Sequence, residues 1–353
     1  MIRFGPAGIP LSCKGRTLMD GVVDVHNLSL TALEIQMIRS ETIELYPDED
    51  LVGLTMKEVE DFLPVEILRG DEMLIDPDEP IEEDDIIVCM ESGVTDNFAE
   101  LFDIRDQARR LDVELSLHTP NYMDLSSNND LTTSCCDCIR YSGVVANAVG
   151  ADVVTTNLGL YSPSMSLDEA DDNIYDNVAS IMDWWKEWGL KPKLGIEITG
   201  KENVFGSLEQ VTDICDQIDG LVPVVNWPGC YLRNANMESW EVEDFNYILD
   251  TIEPYCNGKI HSIFSGLEQH NWTDSRLSPI KKGNFRFETL AECLVERKPD
   301  ITIISSSPLL EHDAMYMRTI HERYLVKKVA KALKNKKKEE KKEEAQAASD
   351  ETA

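Results

Sequence analysis

The strongest constraint in this sequence is a repeated alternation. Short apolar runs of strand length recur between amphipathic stretches with helical spacing, almost from end to end. The runs at 2–4, 32–38, 113–118, 151–157, 194–198, 222–226, 259–264 and 301–305 read as eight strands. The stretches at 17–27, 97–111, 132–148, 168–188, 208–218, 242–255 and 287–297 read as helices, and a last helix starts near 309 and runs past 328. Within 168–188, Ile174, Val178, Ile181 and Trp185 form one apolar stripe. Strands each followed by a helix predict an α/β chain folded as a (β/α)8 TIM barrel.

The alternation breaks once. From 41 to 96 the sequence is acidic, carries Pro47, Pro64, Pro77 and Pro80, and offers only short β-like pieces such as Val65–Leu68 and Asp85–Cys89. Bare loops of this length are uncommon in compact domains. The segment is expected to be an inserted small subdomain or lid. The barrel then comprises 1–40 and 97–330, and 331–353 is a Lys/Glu-rich tail expected to fray or be disordered.

Composition narrows the class of protein. Nine Cys without regular spacing suit reduced thiols better than a disulfide framework. No apolar run approaches the ~18 residues of a membrane span, and the N-terminus lacks the order of a signal peptide. A cytoplasmic location is the expectation. Net charge is −33, and the segment 327–353 holds nine Lys against six acids, so the rest of the chain carries −36. Such a surface repels phosphate backbones and disfavours DNA as a partner.

In a barrel of this type, chemistry gathers at the carboxyl ends of the strands. Strand three ends in His118, and strand four runs out through Asn157. Glu197 stands at the end of strand five, and strand six ends Asn226-Trp227-Pro228-Gly229. Strand seven contains His261 in Ile-His-Ser-Ile-Phe-Ser-Gly, and strand eight ends Ile-Ile-Ser-Ser-Ser-Pro with Ser306. The segment His118-Thr119-Pro120-Asn121-Tyr122 resembles the His-Ala-Pro-Tyr motif of the endonuclease IV family (AP endonuclease family 2), within the xylose isomerase-like TIM barrels. The other strand ends follow in matching order, so the chain resembles a divergent, archaeal-type member. The resemblance covers 1–40 and 97–323, not the insert or tail.

The resemblance implies DNA-repair ancestry: metal-dependent cleavage at abasic sites by three zinc ions held by about nine His, Asp and Glu ligands. Carried over by position, His118, Glu197 and His261 match metal ligands. Asn157, Asn226, Gly229 and Ser306 stand where the family has His, Asp, His and Glu, and no His remains at 274–279. The remaining donors cannot hold such a cluster. Two His and one carboxylate suit at most one divalent ion, zinc, manganese or iron, with Glu197 in the catalytic role; the plainer alternative is that they persist as hydrogen-bonded relics without metal. The expectation is a degenerate or repurposed barrel that binds a small or sugar-like ligand. The rival is an active single-metal hydrolase (AP endonuclease) or sugar isomerase. Asn121, Tyr122, Asn157, Asn226, Trp227, Arg233, Arg276 and Ser306 are the candidate ligand contacts. Trp227 reads equally as core packing. Cys135, Cys136 and Cys138 read as buried thiols, and Trp184, Trp185 and Trp188 as packing of the outer helical layer.

Overall fold

The structure, a computed structural model, describes residues 1–38, 40–233, 239–269, 275–283 and 285–350. Eight strands form one parallel sheet: β1 (Ile2–Pro6), β2 (Ala32–Gln36), β3 (Glu114–His118), β4 (Val153–Thr156), β5 (Lys193–Glu197), β6 (Leu221–Asn226), β7 (Ile260–Phe264) and β8 (Ile301–Ser305). Their spatial order is sequential from β2 to β8, and β8 then pairs with β1. The sheet closes where β1 meets β2, through an Ala7–Glu34 bridge and the bonds Gly8 N to Glu34 O (2.8 Å) and Thr31 N to Phe4 O (3.1 Å). Closure removes both sheet edges.

Gly5 makes that seam possible. A Cβ on Gly5 would lie 1.8 Å from the carbonyl oxygen of Ala32, so only the bare backbone lets β1 and β2 approach.

The helices form the outer layer: α1 (Leu18–Asn27), α2 (Phe98–Arg110), α3 (Asp130–Val149), α4 (Leu167–Glu187), α5 (Leu208–Gln217), α6 (Trp227–Arg233), α7 (Val242–Ile252), α8 (Phe287–Arg297) and α9 (Glu311–Asp350). Their starts are set by side-chain caps. Thr17, Asn97, Asn129, Ser166 and Ser207 each accept a hydrogen bond from a backbone N–H in the first turn. Between the strands and the helices lies an almost continuous apolar core.

The sequence reading of the eight strands and most helices holds to within a few residues. Two features escaped it: α6, directly after β6, and the hairpin of Gly266–Gln269 with Ser275–Ser278 beyond β7. The tail, expected to be a fraying helix or disordered, continues α9 to Asp350.

The insert folds as a sheet of its own. Glu41–Leu45, Ile86–Glu91, Pro64–Arg69 and Glu72–Leu74 form a four-stranded antiparallel sheet in that order. Met56, Val65, Ile67 and Ile87 are buried in it. It rests on the outer helices: the Tyr141 hydroxyl on α3 donates to Glu66 Oε2 at 2.6 Å, and Asn97 at the start of α2 donates to Glu60 O at 3.0 Å. Burial raises the Glu66 pKa, although the Tyr141 bond works against the rise. Arg69 neutralises part of the insert's acidity by forking onto Asp85 (2.9 Å to each oxygen) and reaching Glu79 (2.7 Å).

The seam yields a direct test. Gly5→Ala must push β1 away from Ala32 and should lower stability by about 1–3 kcal/mol. Urea unfolding of the two proteins measures the difference, and an unchanged midpoint would contradict the close approach.

Candidate functional site

Along β3, side chains alternate between the barrel interior and the helical layer, so Glu114, Ser116 and His118 lie at successive inward positions. Glu114 belongs to the floor. It accepts from Thr302 Oγ1 (2.6 Å) and Lys259 Nζ (2.6 Å) and pairs with Arg3 Nε (3.1 Å). Above it sits a small apolar layer of Val153, Val222, Val224 and Ile263.

His118 ends the strand and is buried. Its Nδ1–H donates to the carbonyl of Thr119 at 2.6 Å, which fixes the ring so that Nε2 faces Glu197 Oε2 at 3.0 Å. Glu197, at the end of β5, is likewise buried, and its other oxygen accepts from Asn226 Nδ2 at 2.5 Å. Asn226 is itself held, since its Oδ1 accepts from Gly229 N at 3.0 Å. Three strand ends therefore converge on one carboxylate.

Burial alone would lower the His118 pKa. The hydrogen bond that Nε2–H donates to Glu197, the charge of Glu197, the charge of Glu34 and the Thr119 carbonyl outweigh burial and push it up to about 9.

A second pair lies across the barrel. His261 Nε2 is 3.2 Å from Glu34 Oε2, and Glu34 Oε1 accepts from Gln36 Nε2 at 2.8 Å. Glu34 was missed in the sequence reading, which treated β2 as an ordinary core strand. The signal was present: in Ala-Leu-Glu-Ile-Gln a lone acid alternates with apolar residues, and it is only 1% exposed.

The expected triad of His118, Glu197 and His261 is therefore not assembled. His261 is the second residue of β7, below the strand end where it was expected, and Glu34 holds it from the opposite wall. Among the described residues no group of three or more His, Cys, Asp or Glu side chains is arranged to hold a metal ion. Both oxygens of Glu197 are already engaged, one by His118 and the other by Asn226. As arranged, these residues do not fit a metal.

The other candidates separate clearly. Asn157 and Ser306 follow β4 and β8 and are half-buried at the mouth. Asn157 Oδ1, like Thr155 Oγ1 and Ser116 Oγ inside the barrel, is buried without a hydrogen-bond partner. Asn121 and Tyr122 are exposed, Tyr122 at 86%. Trp227 is fully buried, tilted against Phe245 with ring centres 5.3 Å apart, so it belongs to the core and not to the rim.

Arg233 was expected as an anion contact. Its guanidinium instead binds the carbonyls of Thr199, Lys201 and Val204, each at 2.6 Å, and so staples the loop after β5. Arg276 pairs across the hairpin with Glu268 Oε2 at 2.6 Å. The cysteines Cys135, Cys136 and Cys138 are buried and free, and burial raises the last two to about 11. They are packing groups. Asp274, the first residue of the Asp-x-His comparison at 274–279, lies outside the described residues.

The His118 shift carries a pH signature. Its folded pKa lies above the 6.5 of an unperturbed imidazole. The stabilisation is therefore complete below pH 6.5 and is lost as pH rises through about 9. Glu197→Gln removes the carboxylate that sustains the shift. NMR titration of the His118 ring should show its pKa falling below 6.5 in that variant, and an unchanged titration would refute the pairing.

Comparison with known proteins agrees with this architecture. The sequence pattern of the xylose isomerase-like TIM barrel family matches residues 86–308. An uncharacterised protein of Methanocaldococcus jannaschii is 25% identical over 231 residues, which span 60% of this chain and 80% of that protein. Among solved structures, a D-tagatose 3-epimerase-like protein superposes with a TM-score of 0.60 at 18% identity, covering 93% of this chain and 99% of its own. Endonuclease IV from Thermus thermophilus gives 0.56 at 13% identity, covering 91% and 99%. An L-ribulose 3-epimerase gives 0.58 at 12% identity, covering 94% and 97%. At these identities the structural likeness speaks for the fold. With well over half of its length matched by the family pattern and the barrel closed strand by strand, this chain belongs to the xylose isomerase-like TIM barrel family.

Proposed function

We propose that the barrel mouth binds a small, polyhydroxylated, sugar-like molecule, with Glu197 as the central contact. The observation that carries this reading is the combination of an oriented Glu197 with orphaned polar atoms on and just after β4, the strand paired with its own. Thr155 Oγ1 and Asn157 Oδ1 are buried without partners, whereas native proteins pair nearly all such groups. A ligand rich in hydroxyls supplies what they lack, because each hydroxyl both donates and accepts. Asn226 fixes the carboxylate of Glu197, and His118 balances its charge, so the site is organised before the ligand arrives.

Two features oppose phosphodiester cleavage. The body of the protein is strongly acidic, and the donors described do not converge as a metal cluster. The barrel shared with two sugar epimerases and with endonuclease IV accommodates either chemistry. The choice of a sugar-like ligand therefore rests on the polar groups of the mouth.

Isothermal titration with a panel of ketopentoses, ketohexoses and their polyols tests the reading. At least one should bind, and both Glu197→Gln and Asn157→Leu should weaken that binding by at least ~10-fold, each removing a hydrogen-bonding group. Metal analysis of the purified protein and incubation with an abasic-site duplex complete the test. Stoichiometric zinc, manganese or iron that Glu197→Gln releases, or strand cleavage that the same variant abolishes, would replace this reading with a single-metal hydrolase or isomerase.

A further inference from the structure

The barrel has a cavity at the end opposite its mouth. About 750 Å³ in volume, it opens at the N-terminal face between the ends of α2, α3 and α4 and the starts of β3, β4, β5 and β7. That is within the ~300–1,000 Å³ range of small-molecule sites. His261 lies at its inner end, while its partner Glu34 lines a separate cleft of about 810 Å³ beside the carboxyl ends of β1 and β2. The His261–Glu34 bond thus stands between the two spaces.

The lining is unusual for a protein whose body carries −36. Arg105, Arg109, Lys191, Lys193 and Lys259 all face this cavity. Lys259 is committed to Glu114 and Asp152, and Arg105 to Asp106. Asp76 is the remaining acid of the lining. Arg109, Lys191 and Lys193 form no ion pair among the described residues. Helix macrodipoles favour a cation in the last turn of a helix, which accounts for Arg109 at the end of α2. They do not account for Lys191 and Lys193, which follow α4 and open β5. Between these cations the wall is apolar and aromatic, with Phe102, Trp188, Leu190 and Pro192.

We infer that this N-terminal-face cavity is a second binding site, for a small organic phosphate. The phosphate is held by Arg109, Lys191 and Lys193, and the carbon part lies against Trp188. Guanidinium and ammonium groups together suit a dianion, by directed hydrogen bonds and by point charge respectively. An aromatic ring half-buried beside them suits a flat or ring-shaped body. The site is independent of the mouth, because no residue proposed to bind sugar lines it.

Calorimetry on the full chain provides the test, with inorganic pyrophosphate and adenosine monophosphate as probes and sodium chloride matching the ionic strength. Saturable binding with one site per chain is expected. The charge reversals Arg109→Glu and Lys191→Glu/Lys193→Glu should each weaken pyrophosphate at least ~10-fold, since both place an acid where a phosphate-binding cation stood. All of these side chains are exposed, so the variants should keep the wild-type circular dichroism spectrum. Glu197→Gln should bind both probes as the wild type does, which separates failure here from failure of the mouth reading. Adenosine monophosphate should bind more tightly than inorganic phosphate, titrated as a third ligand, and Trp188→Ala should erase that advantage. No saturable heat at matched ionic strength, or equal affinity in the charge-reversed proteins, would overturn the site. Equal affinity for adenosine monophosphate and inorganic phosphate would overturn the role of Trp188.

Discussion

Two carboxylates, Glu34 and Glu197, are enclosed within a closed sheet, and the remainder of the interior answers to that burden. An isolated buried charge costs several kcal/mol, so each must find a counter-charge or a proton. Each has found a histidine, at 3.2 and 3.0 Å respectively. The amides of Gln36 and Asn226 occupy the remaining oxygens. The pairs explain why His118 holds its proton well above the ordinary range. They also explain how the barrel tolerates acids in its bore although the chain is already acidic.

This pairing gives the mouth its chemical character. A related barrel that holds a metal cluster needs carboxylates on several strands to balance the cations. Here Asn157, Asn226 and Ser306 stand at three of those strand ends. Amides and hydroxyls hydrogen-bond well and bind metals weakly, which is the chemistry behind the sugar-like ligand proposed for this mouth. The orphaned oxygens of Thr155 and Asn157 fit that change. At the other end of the barrel the balance reverses, and basic groups gather round a cavity that the acidic surface elsewhere would not produce.

The fold was largely legible in the sequence because strand and helix periodicities are local. The run ending His118-Thr119-Pro120 announces its own termination, and Asn97 or Ser207 announces a helix start. The site was legible only in part. Glu197, Asn226 and Asn157 could be placed at strand ends by counting, and they are there. Glu34 could not be paired with His261, because 227 residues separate them and only closure of the sheet brings β2 opposite β7. Arg233 read as a free cation, since nothing local shows that the loop 199–206 folds back to offer it three carbonyls.

What the sequence settled by itself is the succession of elements, the acidity of the body and the residue types that stand at the strand ends. These follow from residue type and spacing, which no folding can alter. Only the tertiary structure decided which surviving donors meet. Hydrogen bonds form within about 3 Å, and the order of residues along a chain does not fix distances across a barrel. That is why His118 and Glu197 are partners while His261 belongs to Glu34, and why a cavity lined by cations from α2, the loop after α4 and the floor of the barrel exists at all.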